Sequence, residues 1–352
     1  MKKLYFLILL CAVAGCSAKE SMSLVKIGAE KILNEEPEIK DLRELCDSLT
    51  VVQLETTDES MIGVIEDIVS YNDVLVLLWE GKCSIFKKDG TFVANVGVKG
   101  NGPNEFGWFE YAFVADGKIV LYDSSKNKLF QYDISGNFIA ANEIPVRLGN
   151  SRGAFMPDSR FIGFYMPDKG YSKEWKMIQF VTVDGDLGDS VVVASKLSGP
   201  SNVNWYFKEC SFIENQGGVK VKYTFNDTVY NVVSDKGKYT LMPAMKFELG
   251  QYAAIENARE KSFQAMMTSV RYNPFDQMAK IELLGESDRY LFFAANGERG
   301  YLFNKSVGNI HKYKLTYNGC EDVRPVKIDT EGKMWAIVET DSNNNPQIII
   351  GK

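Results

Sequence analysis

Four hairpins of one design recur along the chain at a nearly constant interval. They are Ser84–Val93, Leu129–Ile139, Ile178–Leu187 and Val229–Tyr239, with turn glycines at 90, 136, 185 and 237, separated by 46, 49 and 52 residues. An Asp or Ser that can cap the turn stands one or two residues before each glycine, which supplies the positive φ that a tight hairpin needs. The flanking runs of Val, Ile, Leu, Phe and Tyr read as short antiparallel strands. Four strands of about five or six residues with their loops fill such an interval, which is the length of one propeller blade.

Counting by that interval predicts blades over about 62–98, 108–145, 152–196, 206–245, 276–316 and 320–352. The last shows only three strands, Val326–Ile328, Met334–Val338 and Gln347–Ile350, and Leu49–Glu55 can supply the fourth. Joining both ends of the chain in one blade closes the ring and removes the exposed edges of an open array. The expectation is an all-β, six-bladed β-propeller over 49–352, closed by strands from both termini. One segment breaks the pattern: 252–269 lacks Gly and Pro and is rich in Ala, Glu and Met. It predicts a helical insertion between blades four and five, serving as a lid, a partner surface or a packing element.

The N-terminus carries a targeting pattern. Lys2 and Lys3 precede the apolar run Leu4–Leu10, which is too short to span a bilayer as a stable helix. The segment ends Val13-Ala14-Gly15-Cys16, which resembles the lipobox of bacterial lipoproteins. The resemblance implies removal of residues 1–15, lipid on Cys16, and a tether and lead-in over 16–48 that is mildly helical at Glu30–Glu44. Ser17, rather than Asp, after the cysteine favours the outer membrane, with the body facing the periplasm or the outside. The acyl chains would be the only membrane attachment.

Charge and residue counts remove several function classes. Forty basic against 46 acidic residues give a net charge of −6 without a basic stripe, which argues against a nucleic-acid partner. A single histidine, His311, excludes any site needing two imidazoles from one chain. Beyond Cys11 and Cys16, the cysteines Cys46, Cys83, Cys210 and Cys320 lie far apart, with no CxxC. They read as buried thiols, with one or two disulfides as the alternative.

Three stretches carry a family resemblance: Phe92–Phe106 with its glycine-rich core, Leu54–Gly63, and Tyr223–Tyr230. They look like the blade junction, opening motif and fourth-blade motif of the six-bladed propeller lipoproteins of Bacteroidetes, distantly related to NHL-repeat propellers. The resemblance supports the fold and brings no catalytic residues with it. Asn104 stands where the family pattern suggests glycine, and asparagine can adopt the left-handed backbone. The Gly97–Phe106 loop lacks the ending of a phosphate-binding loop, so its glycines read as structural.

Candidate sites follow from residue type. Trp108 and Trp205, near predicted strand ends, are the leading ligand contacts, since exposed rings on a rigid scaffold stack on sugars or anchor proteins. Trp79, Phe109, Trp175 and Tyr206 are weaker candidates, and Phe86, Phe92, Phe130, Tyr132 and Phe138 fit the core. Glu66, Asp67, Asp116, Asp123, Asp133 and Asp288 recur near strand ends. Two of them converging at the axis could act as an acid/base pair or hold Ca²⁺, the one cofactor the residues suggest. The leading expectation is a non-enzymatic, envelope-anchored module binding a glycan, peptide or envelope protein. The alternative is a hydrolase or lyase acting on polysaccharide or peptide-like material through axial carboxylates.

Overall fold

The computed structural model describes residues 24–352 apart from 147, 149–152, 157–160, 167–173, 195–208, 216–217, 236–237, 256–260, 262–264, 266–267, 269–273, 322 and 340–342. Three strands come first: β1 (Val25–Gly28), β2 (Glu38–Asp41) and β3 (Leu49–Gln53). Six meanders follow. Blade 1 holds β4 (Ile65–Tyr71), β5 (Val74–Trp79), β6 (Lys82–Lys87) and β7 (Phe92–Asn95). Blade 2 holds β8 (Phe109–Ala115), β9 (Lys118–Asp123), β10 (Lys128–Asp133) and β11 (Phe138–Glu143). Blade 3 is β12 (Gly153–Phe155), β13 (Phe161–Tyr165), β14 (Glu174–Thr182) and β15 (Leu187–Ala194). Blade 4 is β16 (Cys210–Asn215), β17 (Gly218–Tyr223), β18 (Thr228–Asp235) and β19 (Lys238–Glu248). Blade 5 has β20 (Ile281–Glu286), β21 (Tyr290–Ala295), β22 (Glu298–Asn304) and β23 (Asn309–Thr316). Blade 6 has β24 (Val323–Ile328), β25 (Met334–Val338) and β26 (Gln347–Gly351), and β3 pairs antiparallel with β26 as its outermost strand.

The first strands of the blades touch in turn around the axis, β4 to β8, β12, β16, β20, β24 and back to β4. Each sheet therefore packs on a neighbour at both faces. This is why the second strands lose the apolar–polar alternation of a half-buried strand: all six residues of β5, Val-Leu-Val-Leu-Leu-Trp, are buried. The buried hydrophobics fall into six clusters, each bridging one pair of adjacent blades. One joins Leu77 and Phe86 of blade 1 to Trp335 and Ile348 of blade 6. Another joins Phe113 of blade 2 to Phe164 of blade 3.

Ring closure depends on polar contacts as much as on β3. The Asn345 side chain, fully buried in blade 6, donates to the carbonyls of Glu55 (2.7 Å) and Ser60 (2.8 Å) and accepts from the Ile62 N–H (2.9 Å). The Leu54–Gly63 stretch is thus a clasp between the closing strand and blade 1. Gly90 adopts φ +94°, and a Cβ there would lie 1.9 Å from the Gln53 carbonyl oxygen. The repeated turn glycine therefore also admits the closing strand.

The lead-in differs from a tether from residue 24 onward. Strand β1 pairs in parallel with β19, and β2 with β23, adding fifth strands to blades 4 and 5. Both cover outer edges that would otherwise leave unpaired backbone groups. Helix is confined there to a 3-10 turn at Ile32–Asn34 and to Leu42–Leu45, where Asp41 and Glu44 form a capping box. The helical insertion expected at about 252–269 falls mostly outside the described residues and is not seen as a described element; Lys261, Ala265 and Thr268, described singly within it, have helical backbone. At its ends lie a 3-10 turn, Gly250–Tyr252, and a four-residue helix, Pro274–Gln277. The pairing of the lead-in with blades 4 and 5 is not revealed by periodicity.

Candidate functional site

Among the described residues, the turns between first and second strands open on one side of the ring, the lower face. Those between second and third strands open on the upper face. Two neighbouring cavities open at the lower face and share Ile328, Thr330 and Glu331. The larger, of about 520 Å³, lies over blades 4 to 6. The smaller, of about 290 Å³, follows the axis between the first strands.

The floor of the larger cavity is built where β16 and β20 end. Glu286 is buried, its side chain 4% exposed. It meets the ammoniums of Lys220 at 2.6 Å and Lys305 at 3.1 Å and accepts from the Asn215 amide at 2.5 Å. Burial pushes the Glu286 carboxyl up, but the two lysines outweigh it and hold it below the usual carboxylate range. Leu302, Ile328 and Met334 give the cavity an apolar wall. At its rim the Arg289 guanidinium lies 5.3 Å from the centre of the Tyr290 ring.

Along the axis, side chains satisfy the edge groups of the first strands. The Phe155 N–H donates to Glu214 (2.8 Å), the Leu283 N–H to Ser211 (3.0 Å), and Arg324 donates to the Ile65 carbonyl (2.6 Å). Lys327 meets Asp67 at 3.1 Å. Burial raises the Glu214 carboxyl above its ordinary range, opposed by the Phe155 N–H bond and by the charge of Lys327. Asp67, Glu214, Asp329 and Glu331 thus line the axial cavity with Lys327 and Lys333.

The expected site residues are scattered. Trp108 is 39% exposed, but it belongs to the upper face, away from both cavities. Its ring lies flat over Gly81, where an added Cβ would come within 2.3 Å of it, and the Lys99 ammonium is 5.4 Å from the ring centre. Trp205, Tyr206, Cys16 and the Trp175 side chain lie outside the described residues. Trp79 is core, its indole N–H bonded to Ser84 at 2.8 Å, and Phe109 is fully buried. Phe86, Phe130 and Tyr132 are buried as expected, while Phe138 is 42% exposed on an outer strand.

Of the six acidic candidates, Asp67 alone faces the axial cavity. Asp288 stands at the rim of the larger one. Asp116 is a left-handed turn residue, and Asp133 caps its hairpin through the N–H groups of Ser135 and Asn137. Asp123, buried, accepts from Gly107, Ser125 and Lys126. Glu66 is exposed on β4. Among the described residues no group of three or more His, Cys, Asp or Glu side chains is placed to hold a metal ion. His311 stacks on Tyr313 in an outer strand.

The glycine loop wraps a side chain of its own. Gly102 N–H donates to the Glu105 carboxylate at 2.7 Å, and a Cβ at Gly100 would lie 2.1 Å from that carboxylate. Asn104 does not use the left-handed backbone; Gly97 supplies the positive φ, at +75°. Cys46, Cys83, Cys210 and Cys320 are all free thiols, Cys83 and Cys210 fully inside.

Glu214, Glu286, Lys220, Lys305 and Lys327 were missed. The available signal was a charged residue ending an otherwise apolar inner strand, as in Cys-Ser-Phe-Ile-Glu214 and Ile-Glu-Leu-Leu-Gly-Glu286. Acids in turns share that composition, and only the closed ring distinguishes the two.

Residues 24–350 match the family described as a domain of unknown function, DUF4934. The chain belongs to the DUF4934 family. Among solved structures, a Bacteroides fragilis protein described as exported superposes with a TM-score of 0.68 at 15% identity, covering 94% of this chain and 99% of that one. This likeness supports the propeller fold of the DUF4934 chain. A DUF4221 member from Bacteroides vulgatus gives 0.49 at 11% identity, covering 87% and 96% of the two chains. The virginiamycin B lyase of Staphylococcus aureus gives 0.48 at 11% identity, covering 86% and 99%. No curated protein matches the chain.

Proposed function

We propose that this DUF4934 protein is an extracytoplasmic, envelope-anchored binding protein without enzymatic activity, presenting its lower face to a glycan, peptide or protein ligand. The observation that carries the reading is the 520 Å³ cavity, whose polar floor is already fixed by bonds within blade 5 and between blades 4 and 5. A preformed pocket of that size, with few polar groups held in place, suits recognition of a small molecule or the end of a larger one. The signal pattern and the exported description of the B. fragilis relative support a location outside the cytoplasm. Lipid on Cys16 would supply the anchor, on the outer membrane. Trp108, exposed on the upper face, would contact a macromolecular partner, and Trp205 would be a second aromatic contact.

A second reading, a hydrolase or lyase, draws on Asp67 and Glu214 facing one axial cavity with Lys327. Soaking crystals with fragments of polysaccharide and peptide separates the two. Ligand density in the larger cavity without turnover supports binding. Turnover abolished by Asp67→Asn or Glu214→Gln would transfer the assignment to the enzyme. Labelling with an alkynyl fatty acid, absent in Cys16→Ser, tests the anchor.

A further inference from the structure

The floor of the larger cavity is not electrically balanced. Lys220 and Lys305 come from different blades, yet both point at Glu286, and among the described residues neither ammonium pairs with another carboxylate. Their side chains are only 13% and 24% exposed, so neither is well hydrated. Two ammoniums sharing one carboxylate leave about one positive charge in a partly dehydrated site, where an anion gains more than it would in open water. Each ammonium has three donors, and one of them is engaged by Glu286. The remaining donors lie beside a cavity with an apolar wall of Leu302, Ile328 and Met334.

At the rim the charges balance: Asp47, Asp288 and Glu331 are exposed around the opening with Arg289 and Lys352, and Glu331 pairs with Lys333. A dianion would find only one net charge at the floor and no surplus at the rim. A single negative charge on a compact body matches the floor. We propose that the larger cavity binds a carboxylate carried on a sugar-sized body, the carboxylate resting on Lys220 and Lys305 and the body against the apolar wall. This rests on the reading of the lower face as a ligand-binding surface and names the ligand class. Glu286 then has a second role beside joining blades 4 and 5: it sets the floor charge to one, and so selects monoanions.

The test is titration calorimetry of the intact chain with D-glucuronate, D-glucose and inorganic phosphate as probes. Glucuronate is expected to bind about tenfold or more tighter than glucose, with affinity falling as salt rises. Lys305→Met and, independently, Lys220→Met should each weaken glucuronate by about tenfold with little change in glucose binding. Glu286→Gln, which keeps the size of the side chain and removes the competing charge, should tighten it. Glucuronate should also protect Lys220 and Lys305 from reductive methylation, a readout that a purely structural lysine would not give. Equal binding of glucose and glucuronate overturns the carboxylate inference while leaving the cavity a ligand site. Tighter binding of phosphate overturns it as well. Binding of none of the three overturns it too, and the broader binding function is then judged separately by the fragment soaks.

Discussion

Removing the Asn345 side chain should open the ring at one defined seam. Asn345→Ala deletes two donations, to Glu55 and Ser60, and one acceptance from Ile62, all within 2.9 Å and all in a fully buried position. The Glu55 carbonyl keeps a bond from the Ser60 hydroxyl at 2.8 Å, so its loss is partial. The Ile62 N–H and the Ser60 carbonyl lose this partner outright. Each buried polar group left unsatisfied costs about 1–3 kcal/mol, so the variant should lose about 3 kcal/mol. For a domain of this size that is a fall in Tm of about 4–5 °C. Asn345→Asp should be worse than Ala at neutral pH, because a second carboxylate oxygen would then face two carbonyls. It should recover partly in acid, where the protonated group regains one donor. Hydrogen exchange read by mass spectrometry gives the location: peptides covering β3 and β26 should lose protection first. A melting point within about 1 °C of the parent, or protection lost equally in all six blades, would refute the clasp.

Other outcomes follow from the same geometry. Gly90→Ala should destabilise the chain by about 2 kcal/mol or more, because the new methyl group meets the Gln53 carbonyl at a φ of +94°; urea unfolding measures it. Burial raises the Glu214 carboxyl in the folded state, so its contribution to stability is present in acid and is lost as pH rises through the folded value. Glu214→Gln should therefore stabilise the protein at pH 7, with the gain shrinking towards pH 4; thermal melts across that range check the sign. Glu286, held low by its lysines, behaves in the opposite way, and its contribution should fade as pH drops below the ordinary glutamate range. Cys83 and Cys210, buried and with thiols pushed upward, should resist a thiol reagent in the native chain and react on unfolding.

The repeat of turn glycines and the alternation around it determined the six blades, because hairpin chemistry is local. A glycine at positive φ and a capping Asp need only their own few residues, as at Asp89-Gly90 and Asp133–Asn137. The missing fourth strand of blade 6 was legible for the same reason: a three-strand remainder at one end and an orphan strand at the other leave one economical closure. The lead-in was less legible. Strands such as Val25–Gly28 and Glu38–Asp41 have short, mixed patterns, and they form because β19 and β23 offer open edges that exist only once the blades are built. The sites were least legible of all. Trp108 has the composition of a ligand contact, yet the ring places it on Gly81, across the propeller from both cavities. Lys220, Glu286 and Lys305 are spread over 86 residues and meet only because blade 4 packs on blade 5. Sequence thus decided the repeating unit, whose energetics lie within each hairpin. Tertiary structure decided the cavities and their charge, which exist only between blades.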